Sequence, residues 1–179
     1  MGLASYRMAQ AYTTQQPLVR LATAPLARIA ELAGGSAHLT RLAGAETVYL
    51  HEVRAPGAAS LVTEVGVRLP TLSTASGRIM LAHLPEPELR AVFNASGSRR
   101  SFRECKEELH AYRRQGWATE SQDVSRGQES VAVAVLDHLS RPAAALAVTY
   151  PVGSADERKL TSALGDAAAH LRAHFFGQL

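Results

Sequence analysis

The chain has 179 residues, 46% of them hydrophobic and 20% charged, with a formal net charge of +3 at pH 7. These values indicate one globular domain, or one domain with a short appendage, and they exclude an intrinsically disordered chain. The single cysteine, Cys105, excludes a disulfide framework and favours a reducing compartment. Because no stretch is long and apolar enough to span a membrane and no secretory signal begins the chain, we expect a cytoplasmic protein without membrane contact.

The first third of the chain predicts a long helix. Tyr6-Arg7-Met8 is strand-like, and apolar residues at helical spacing then predict a helix over residues 11–33, kinked or split at Pro25. The stripe consists of Leu18, Leu21, Pro25, Ile29, Leu32 and Ala33. Gly34-Gly35 ends the helix.

Three extended segments follow, over residues 36–42, 46–54 and 61–68. Alternation in the second segment assigns its side chains to two faces of a sheet. One face carries Val48, Leu50 and Glu52, and the other carries Tyr49, His51 and Val53.

A strand-to-helix junction follows Pro70, which ends the last of these strands because it lacks a backbone donor. Either Ser73 or Thr74 is the candidate N-cap of the helix. The backbone N–H groups of Ala75 and Ser76 then have no intrahelical acceptor and lie at the positive end of the helix dipole, where they can hold an anion or a carbonyl group. The alternative is that the two candidate capping hydroxyls satisfy these donors and nothing binds.

The remainder predicts helices over residues 85–94, 102–115 and 155–176, and strands over residues 117–119, 130–136 and 142–150. A polar loop covers residues 121–128. This order of elements predicts an α+β fold in which helices cover an antiparallel sheet.

Motifs for nucleotide, phosphate or metal chemistry are missing from the sequence. His170 and His174 are four residues apart, but no carboxylate or third ligand accompanies them. Ser76 lacks the preceding glycine of a hydrolase nucleophile elbow. We therefore predict no catalytic residue, no metal and no cofactor. The basic cluster at residues 99–106 is interpreted as a solvated helix start rather than a nucleic-acid surface.

Four sequence blocks carry a family resemblance. They are Gly66-Val67-Arg68-Leu69-Pro70 with the small-residue turn and helix start at residues 73–82, Arg113-Arg114-Gln115-Gly116-Trp117-Ala118, Gly127-Gln128-Glu129-Ser130-Val131-Ala132-Val133-Ala134-Val135, and Ala145-Leu146-Ala147-Val148-Thr149-Tyr150-Pro151. In order and spacing, these blocks resemble the effector-binding domain of IclR-type transcriptional regulators.

The N-terminus carries a further resemblance. Tyr6-Arg7-Met8-Ala9 is similar to the end of the wing in the winged helix-turn-helix domain of that family. The resemblance implies that residues 1–16 are a remnant of the wing and linker, and that residues 17–179 form the effector-binding domain. It further implies an excised sensor domain or truncated regulator, which binds a small-molecule effector, forms a homodimer or homotetramer, and contacts DNA only through a missing N-terminal domain.

The resemblance implies a GAF-like fold with a long N-terminal linker helix and a pocket between the sheet and its covering loops and helices. Carried over position by position, the effector-binding residues are Leu72, Ala75, Ser76, Glu120, Ser130, Ala147 and Thr149. Ala75 and Ser76 contribute through their backbone N–H groups. The alternative for Ser130 and Thr149 is that their hydroxyls simply bond to neighbouring backbone.

Four of these positions depart from the family pattern. Leu72 replaces a frequent histidine, Ser130 a cysteine, Ala147 a serine and Glu120 an aspartate. We expect the effector to be a small organic or aromatic acid. An anionic effector beside Glu120 requires this carboxyl group to be protonated or turned away.

We expect the effector to order the loop at residues 121–128 and to shift an equilibrium between oligomeric arrangements that hold the DNA-binding domains at different spacings. Two other interpretations stay open from the sequence. One is an oligomerisation scaffold with a vestigial pocket. The other is an enzyme in which Glu120 is a general base near Ser130.

Overall fold

The computed structural model describes residues 3–176, with side chains from residue 17 onward. Its elements are α1 (Leu3–Ala33), β1 (Ser36–Ala43), β2 (Glu46–Arg54), β3 (Arg68–Pro70), α2 (Ala75–Leu81), α3 (Glu86–Ala95), α4 (Phe102–Gln115), β4 (Ala118–Ser121), β5 (Gln128–Leu136), β6 (Pro142–Pro151) and α5 (Glu157–Phe175). A 3-10 turn at Thr71–Ser73 joins β3 to α2. No helix within the described range is both long and apolar enough to cross a membrane.

The six strands form one antiparallel sheet in the order β3-β2-β1-β6-β5-β4. The two hairpins, β1-β2 and β5-β6, meet where β1 pairs with β6 at the centre of the sheet. Helices α1 and α5 pack on one face, and α2 and α4 pack on the other. The predicted α+β fold, with an antiparallel sheet between helices, is confirmed.

Helix α1 is continuous through Pro17 and Pro25, so a split at Pro25 is wrong, whereas a kink there stays a prediction. An interior proline costs about 3 kcal/mol, and the helix offsets this cost by burying Ala22, Leu26 and Ile29 against the sheet. The predicted stripe is confirmed except at Leu32, which is 51% exposed. The stripe of α5 is confirmed, with Leu160, Leu164, Ala167, Ala168 and Leu171 all buried.

Two predicted strand segments are not strands. The backbone at Tyr6-Arg7-Met8 continues α1, because a three-residue strand signal is too short to interrupt a run of good helix formers. The assignment of residues 1–16 to a wing and linker stays a prediction. The segment at residues 61–68 is mostly loop, and β3 begins only at Arg68. Gly66, at φ 89°, turns the chain just before it.

Strand β2 contains a β-bulge that changes which side chains share a face. Its register with β1 shifts between the pairs Thr40–Tyr49 and Leu39–His51, so Leu50 is unpaired. Leu50 and Val53 therefore pack toward α1, whereas Tyr49 faces the opposite side of the sheet. The predicted common face for Tyr49, His51 and Val53 is wrong, because strict alternation does not survive a bulge.

Helix α4 begins and ends where the sequence predicts. Ser101 and Glu104 form a capping box at its start, and Gly116, at φ 91°, ends it. Cys105 and Leu109 on its apolar face are buried against α2. Burial raises the pKa of the Cys105 thiol, so this cysteine is a structural thiol rather than a nucleophile.

Candidate functional site

The antiparallel register places four polar residues in one row across the sheet. Glu120 of β4 pairs with Ser130 of β5, Ser130 pairs with Thr149 of β6, and Thr149 pairs with Ser36 of β1. Burial leaves at most 8% of any of these residues exposed. Buried hydroxyl and carboxyl groups normally have hydrogen-bond partners; Glu120, Ser130 and Thr149 bond to one another, whereas Ser36 Oγ has no partner among the described residues.

A small cavity lies over this row, between the sheet and the start of α2. Its lining residues are His38, Tyr49, Leu61, Thr63, Thr74, Ala75, Ser76, Glu120, Val124, Ser125, Ser130, Ala147 and Thr149. Its volume is about 10 Å³, which is about the room that one water molecule needs. Larger concavities exist, including one of about 510 Å³ between α1 and α5, but they are open grooves.

Six of the seven predicted effector-binding residues line this one cavity: Ala75, Ser76, Glu120, Ser130, Ala147 and Thr149. Leu72 does not. The 3-10 turn directs its side chain against the core beneath α2, and its backbone carbonyl accepts a hydrogen bond from Arg78. Binding of an effector by any of the seven stays a prediction.

Glu120, Ser130 and Thr149 are joined by a chain of hydrogen bonds. Ser130 Oγ lies 2.6 Å from Glu120 Oε1 and 2.8 Å from Thr149 Oγ1. The backbone N–H of Asp123 donates to Glu120 Oε2 over 3.1 Å. The interpretation of Ser130 and Thr149 as hydroxyls bonded only to neighbouring backbone is therefore wrong, because their partners are side chains.

Burial raises the pKa of Glu120 above its ordinary value, and the nearby charge of Asp123 adds to the effect. Hydrogen bonds from Ser130 and from the Asp123 backbone, together with the charge of Arg78, act in the opposite direction and do not cancel it. Arg78 also holds the loop after β4, since its guanidinium donates to Thr119 O over 2.8 Å and to Asp123 Oδ2 over 2.5 Å.

Helix α2 begins as predicted, with Thr74 rather than Ser73 as the N-cap. The Thr74 hydroxyl accepts from the N–H of Gly77 over 3.0 Å. The N–H groups of Ala75 and Ser76 have no acceptor within the described chain. The capping hydroxyl thus satisfies one donor and leaves two at the cavity wall.

The sequence analysis missed a second polar group in the lining. His38 Nε2 lies 3.0 Å from Thr63 Oγ1 and 3.8 Å from Glu52 Oε1, and the ring packs edge-on against Tyr49. Burial lowers the pKa of His38 despite the nearby Glu52 carboxylate, and burial raises the pKa of Tyr49. Both side chains are therefore neutral at pH 7.

Two loops form the outer wall of the cavity. Residues 55–67 contribute Leu61 and Thr63, and residues 122–127 contribute Val124 and Ser125. The hydrogen bond between Thr63 and His38 holds the first loop in place, and the bonds of Arg78 hold the second. Both loops therefore lie closed over the cavity. Among the side chains described from residue 17 onward, no group of three metal-ligating residues lies close enough together to hold a metal ion.

The raised pKa of Glu120 predicts a pH-dependent stability. Between the ordinary value of 4.5 and the raised value, the folded state binds more protons than the unfolded state, so the free energy of unfolding falls as pH rises through this window. Glu120→Gln carries no titrating proton. We expect the free energy of unfolding of the variant, relative to wild type, to rise between pH 4 and pH 7.5 by about 1.4 kcal/mol per unit of pKa difference. Urea unfolding at the two pH values measures this change.

Glu129→Gln is the matched control, because it removes the same charge from the neighbouring strand β5 outside the cavity. We expect this control to keep the wild-type pH dependence. An unchanged slope in Glu120→Gln would contradict the raised pKa.

The sheet, its covering helices and the small polar cavity beside α2 define an α+β domain. The family model described as "Bacterial transcriptional regulator IclR C-terminal" matches residues 10–173. The chain therefore belongs to the IclR family and contains its C-terminal domain.

Relatives of known identity agree with this assignment. The chain is 31% identical over 144 residues to the HTH-type transcriptional regulator XynR of Escherichia coli. The aligned region covers 76% of this chain and 57% of the relative. It is 30% identical over 164 residues to the Pca regulon regulatory protein of Pseudomonas putida, with coverage of 86% and 55%. The chain thus spans about half the length of the curated relatives that it matches.

Solved structures show the same fold. The crystal structure of IclR from Thermotoga maritima superposes with a TM-score of 0.81 at 23% identity, covering 94% of this chain and 74% of that one. The inducer-binding domain of PobR from Acinetobacter, solved in complex with 3-hydroxybenzoic acid, superposes with a TM-score of 0.75 at 20% identity, covering 86% of this chain and 97% of that one.

Proposed function

We propose that this domain binds a small organic or aromatic acid in the cavity at Glu120, Ser130 and Thr149, and that occupancy alters DNA binding by a winged helix-turn-helix domain of the same regulator. The observation that carries the proposal is the convergence of the predicted residues. Six positions taken from separate parts of the sequence line one enclosed cavity.

The size of the cavity bears on how an effector enters. Its volume of about 10 Å³ is too small for an organic acid, so part of the covering wall must move outward before binding. We propose that the loop at residues 55–67, which the hydrogen bond between Thr63 and His38 holds, makes this movement, because Asp123 in the other loop keeps Glu120 and Arg78 in place. Ordering of the loop at residues 121–128 over the ligand stays a prediction.

We propose that this loop movement couples occupancy of the cavity to DNA binding by the regulator. A ligand shifts a conformational equilibrium only by its difference in affinity for the two states. Helix α1 is the lever that we propose carries the shift, because it packs along the sheet and reaches the N-terminal end of the described chain. We also propose that the regulator works as a homodimer or homotetramer, in which α1 changes the spacing of the DNA-binding domains.

Regulation is favoured over catalysis by the surroundings of Glu120. Both carboxyl oxygens are already engaged, one by Ser130 and the other by the Asp123 backbone. These two hydrogen bonds compete with a substrate proton for the Glu120 oxygens, which makes this carboxyl group a weaker general base. The named relatives are transcriptional regulators, which points the same way. We therefore propose that the domain is not an enzyme.

A thermal-shift screen against carboxylic, hydroxy and aromatic acids tests the proposal. A ligand at about 100 times its dissociation constant adds about 2.7 kcal/mol, which raises the melting temperature of a chain of this size by roughly 5–10 °C. Thr149→Val should lose this shift. Thr161→Val, in helix α5 far from the cavity lining, should keep it.

The alternative interpretation of an oligomerisation scaffold makes the opposite prediction. If no compound in a broad panel shifts the melting temperature, while dilution of the protein lowers it, the effector proposal fails and the scaffold takes its place.

A further inference from the structure

We propose, building on the effector site proposed above, that the cavity binds a monocarboxylate together with one proton, and that this proton links Glu120 to the ligand carboxyl group through the Ser130 and Thr149 hydroxyls. The observations behind this are the charges of the lining, the fixed position of Glu120 and the direction of the hydrogen bonds in its row.

The cavity offers an anion no compensating positive charge. Neither arginine nor lysine occurs among its lining residues. Of the groups that face Glu120, Tyr49 of β2 and His38 of β1 are neutral at pH 7. Arg78 of α2 is the nearby cation, but Asp123, in the loop after β4, neutralises it in a 2.5 Å ion pair. Within the described lining, a ligand carboxylate therefore meets one buried carboxyl group and no free cation.

Glu120 cannot avoid the ligand by turning away. It is only 4% exposed, and both of its oxygens are held by hydrogen bonds to Ser130 and to the Asp123 backbone. Two adjacent carboxylates in a buried site cannot both be ionised at low cost, and such a pair retains one proton. At a pH above the pKa of Glu120, binding of one carboxylate anion therefore takes up one proton from solvent, whereas below this pKa the proton is already on Glu120. A dicarboxylate would add a second charge that nothing in the described lining balances.

The row of hydroxyls makes the proton useful for recognition. When Glu120 is ionised, Ser130 donates to it and accepts from Thr149, so the row presents only acceptors to the cavity. When Glu120 is protonated, it donates to Ser130, Ser130 donates to Thr149, and the Thr149 hydroxyl is free to donate to a ligand. One proton thus converts the end of the row from an acceptor into a donor, which is what a carboxylate requires.

Isothermal titration calorimetry of the whole chain tests this proposal. The probes are benzoate, 3-hydroxybenzoate and propionate, each paired with its neutral amide, between pH 5.5 and 8.5. Repeating each titration at pH 5.5 and pH 8.5 in buffers of different ionisation enthalpy counts the protons taken up. Above the pKa of Glu120, we expect uptake close to one proton per site and an affinity for the acids that falls about tenfold per pH unit.

Variants locate the proton. Glu120→Gln should bind the acids without proton uptake and with little pH dependence, whereas Glu129→Gln should match wild type. The wild-type pH profile and proton count need no variant, so they decide the question even if Glu120→Gln does not fold.

Three outcomes overturn the proposal. Acids that bind without proton uptake at pH 8.5 as well as at pH 5.5, and with an affinity that does not change with pH, would show that both carboxylates stay ionised. Binding of the amides alone would show a site for neutral ligands, and the effector function would stand. Binding of none of the six probes would remove the monocarboxylate site. The effector function would fall with it only if the broader thermal-shift panel also gave nothing.

Discussion

Replacing Gly77 with alanine is expected to destabilise the domain by about 3 kcal/mol, at the upper end of what overpacking costs. A Cβ atom at this position would lie 2.1 Å from the backbone oxygen of Thr71 and 2.7 Å from the hydroxyl oxygens of Thr47 and Thr74. The closest of these atoms is backbone and cannot rotate away. Helix α2 must therefore move away from the 3-10 turn at Thr71 and from Thr47 of β2, which also displaces the cavity wall at Ala75.

Gly165→Ala is the matched control for this substitution. Gly165 lies inside α5, and a Cβ atom added there would meet no other described atom within 4 Å. Alanine there should stabilise the domain by about 0.5–1 kcal/mol through helix propensity. Urea unfolding of both variants measures the two effects. A Gly77→Ala variant as stable as wild type would show that α2 is not packed against β2 as closely as described.

Arg78→Met is expected to cost about 3 kcal/mol and to loosen the loop at residues 122–127. The side chain is 13% exposed, and its donors reach Leu72 O and Thr119 O at 2.8 Å each. Methionine keeps the apolar stem but leaves both carbonyls without these donors, and each such loss costs about 1–3 kcal/mol. The ion pair with Asp123 adds little, because that carboxylate is 48% exposed.

Arg103→Met provides the comparison for Arg78→Met. Its ion pair with Glu107 is exposed, with 88% of the arginine side chain accessible. Its loss should leave the unfolding free energy unchanged within error. Hydrogen exchange should show faster exchange at residues 122–127 in Arg78→Met alone. Equal stability of the two variants would contradict the anchoring role of Arg78.

The elements that sequence reasoning placed well are those with local signals. Pro70, Thr74 and Gly116 each end or begin an element through their own backbone chemistry, and the structure places the boundaries at those residues. The prediction of a split at Pro25 failed because burial along the length of α1 outweighs the helix-breaking preference of proline. The bulge at Leu50 carries no sequence signal and depends on pairing with β1.

The residues around the cavity likewise divide into those that could be predicted from the sequence and those that depend on long-range contacts. Residues such as Ser130 and Thr149 were predicted through family resemblance, and antiparallel register then makes them cross-strand neighbours. His38 was not predicted, because its role depends on Thr63 in a distant loop. Leu72 was assigned to the pocket by position alone, and the 3-10 turn packs its half-buried side chain against the core outside the cavity lining. Long-range pairing and loop closure are the parts that local pattern cannot supply.

We propose the cavity at Glu120, Ser130 and Thr149 as the effector site. A titration followed by ¹H–¹⁵N correlation spectra tests it most directly, using the acid that gives the largest thermal shift. We predict that the largest amide shifts occur at Ala75, Ser76, Ser130, Thr149 and Asp123. If the largest shifts occur instead at Ile29, Leu32 and His170, which line the open groove between α1 and α5, the effector binds in that groove and the proposed site is wrong.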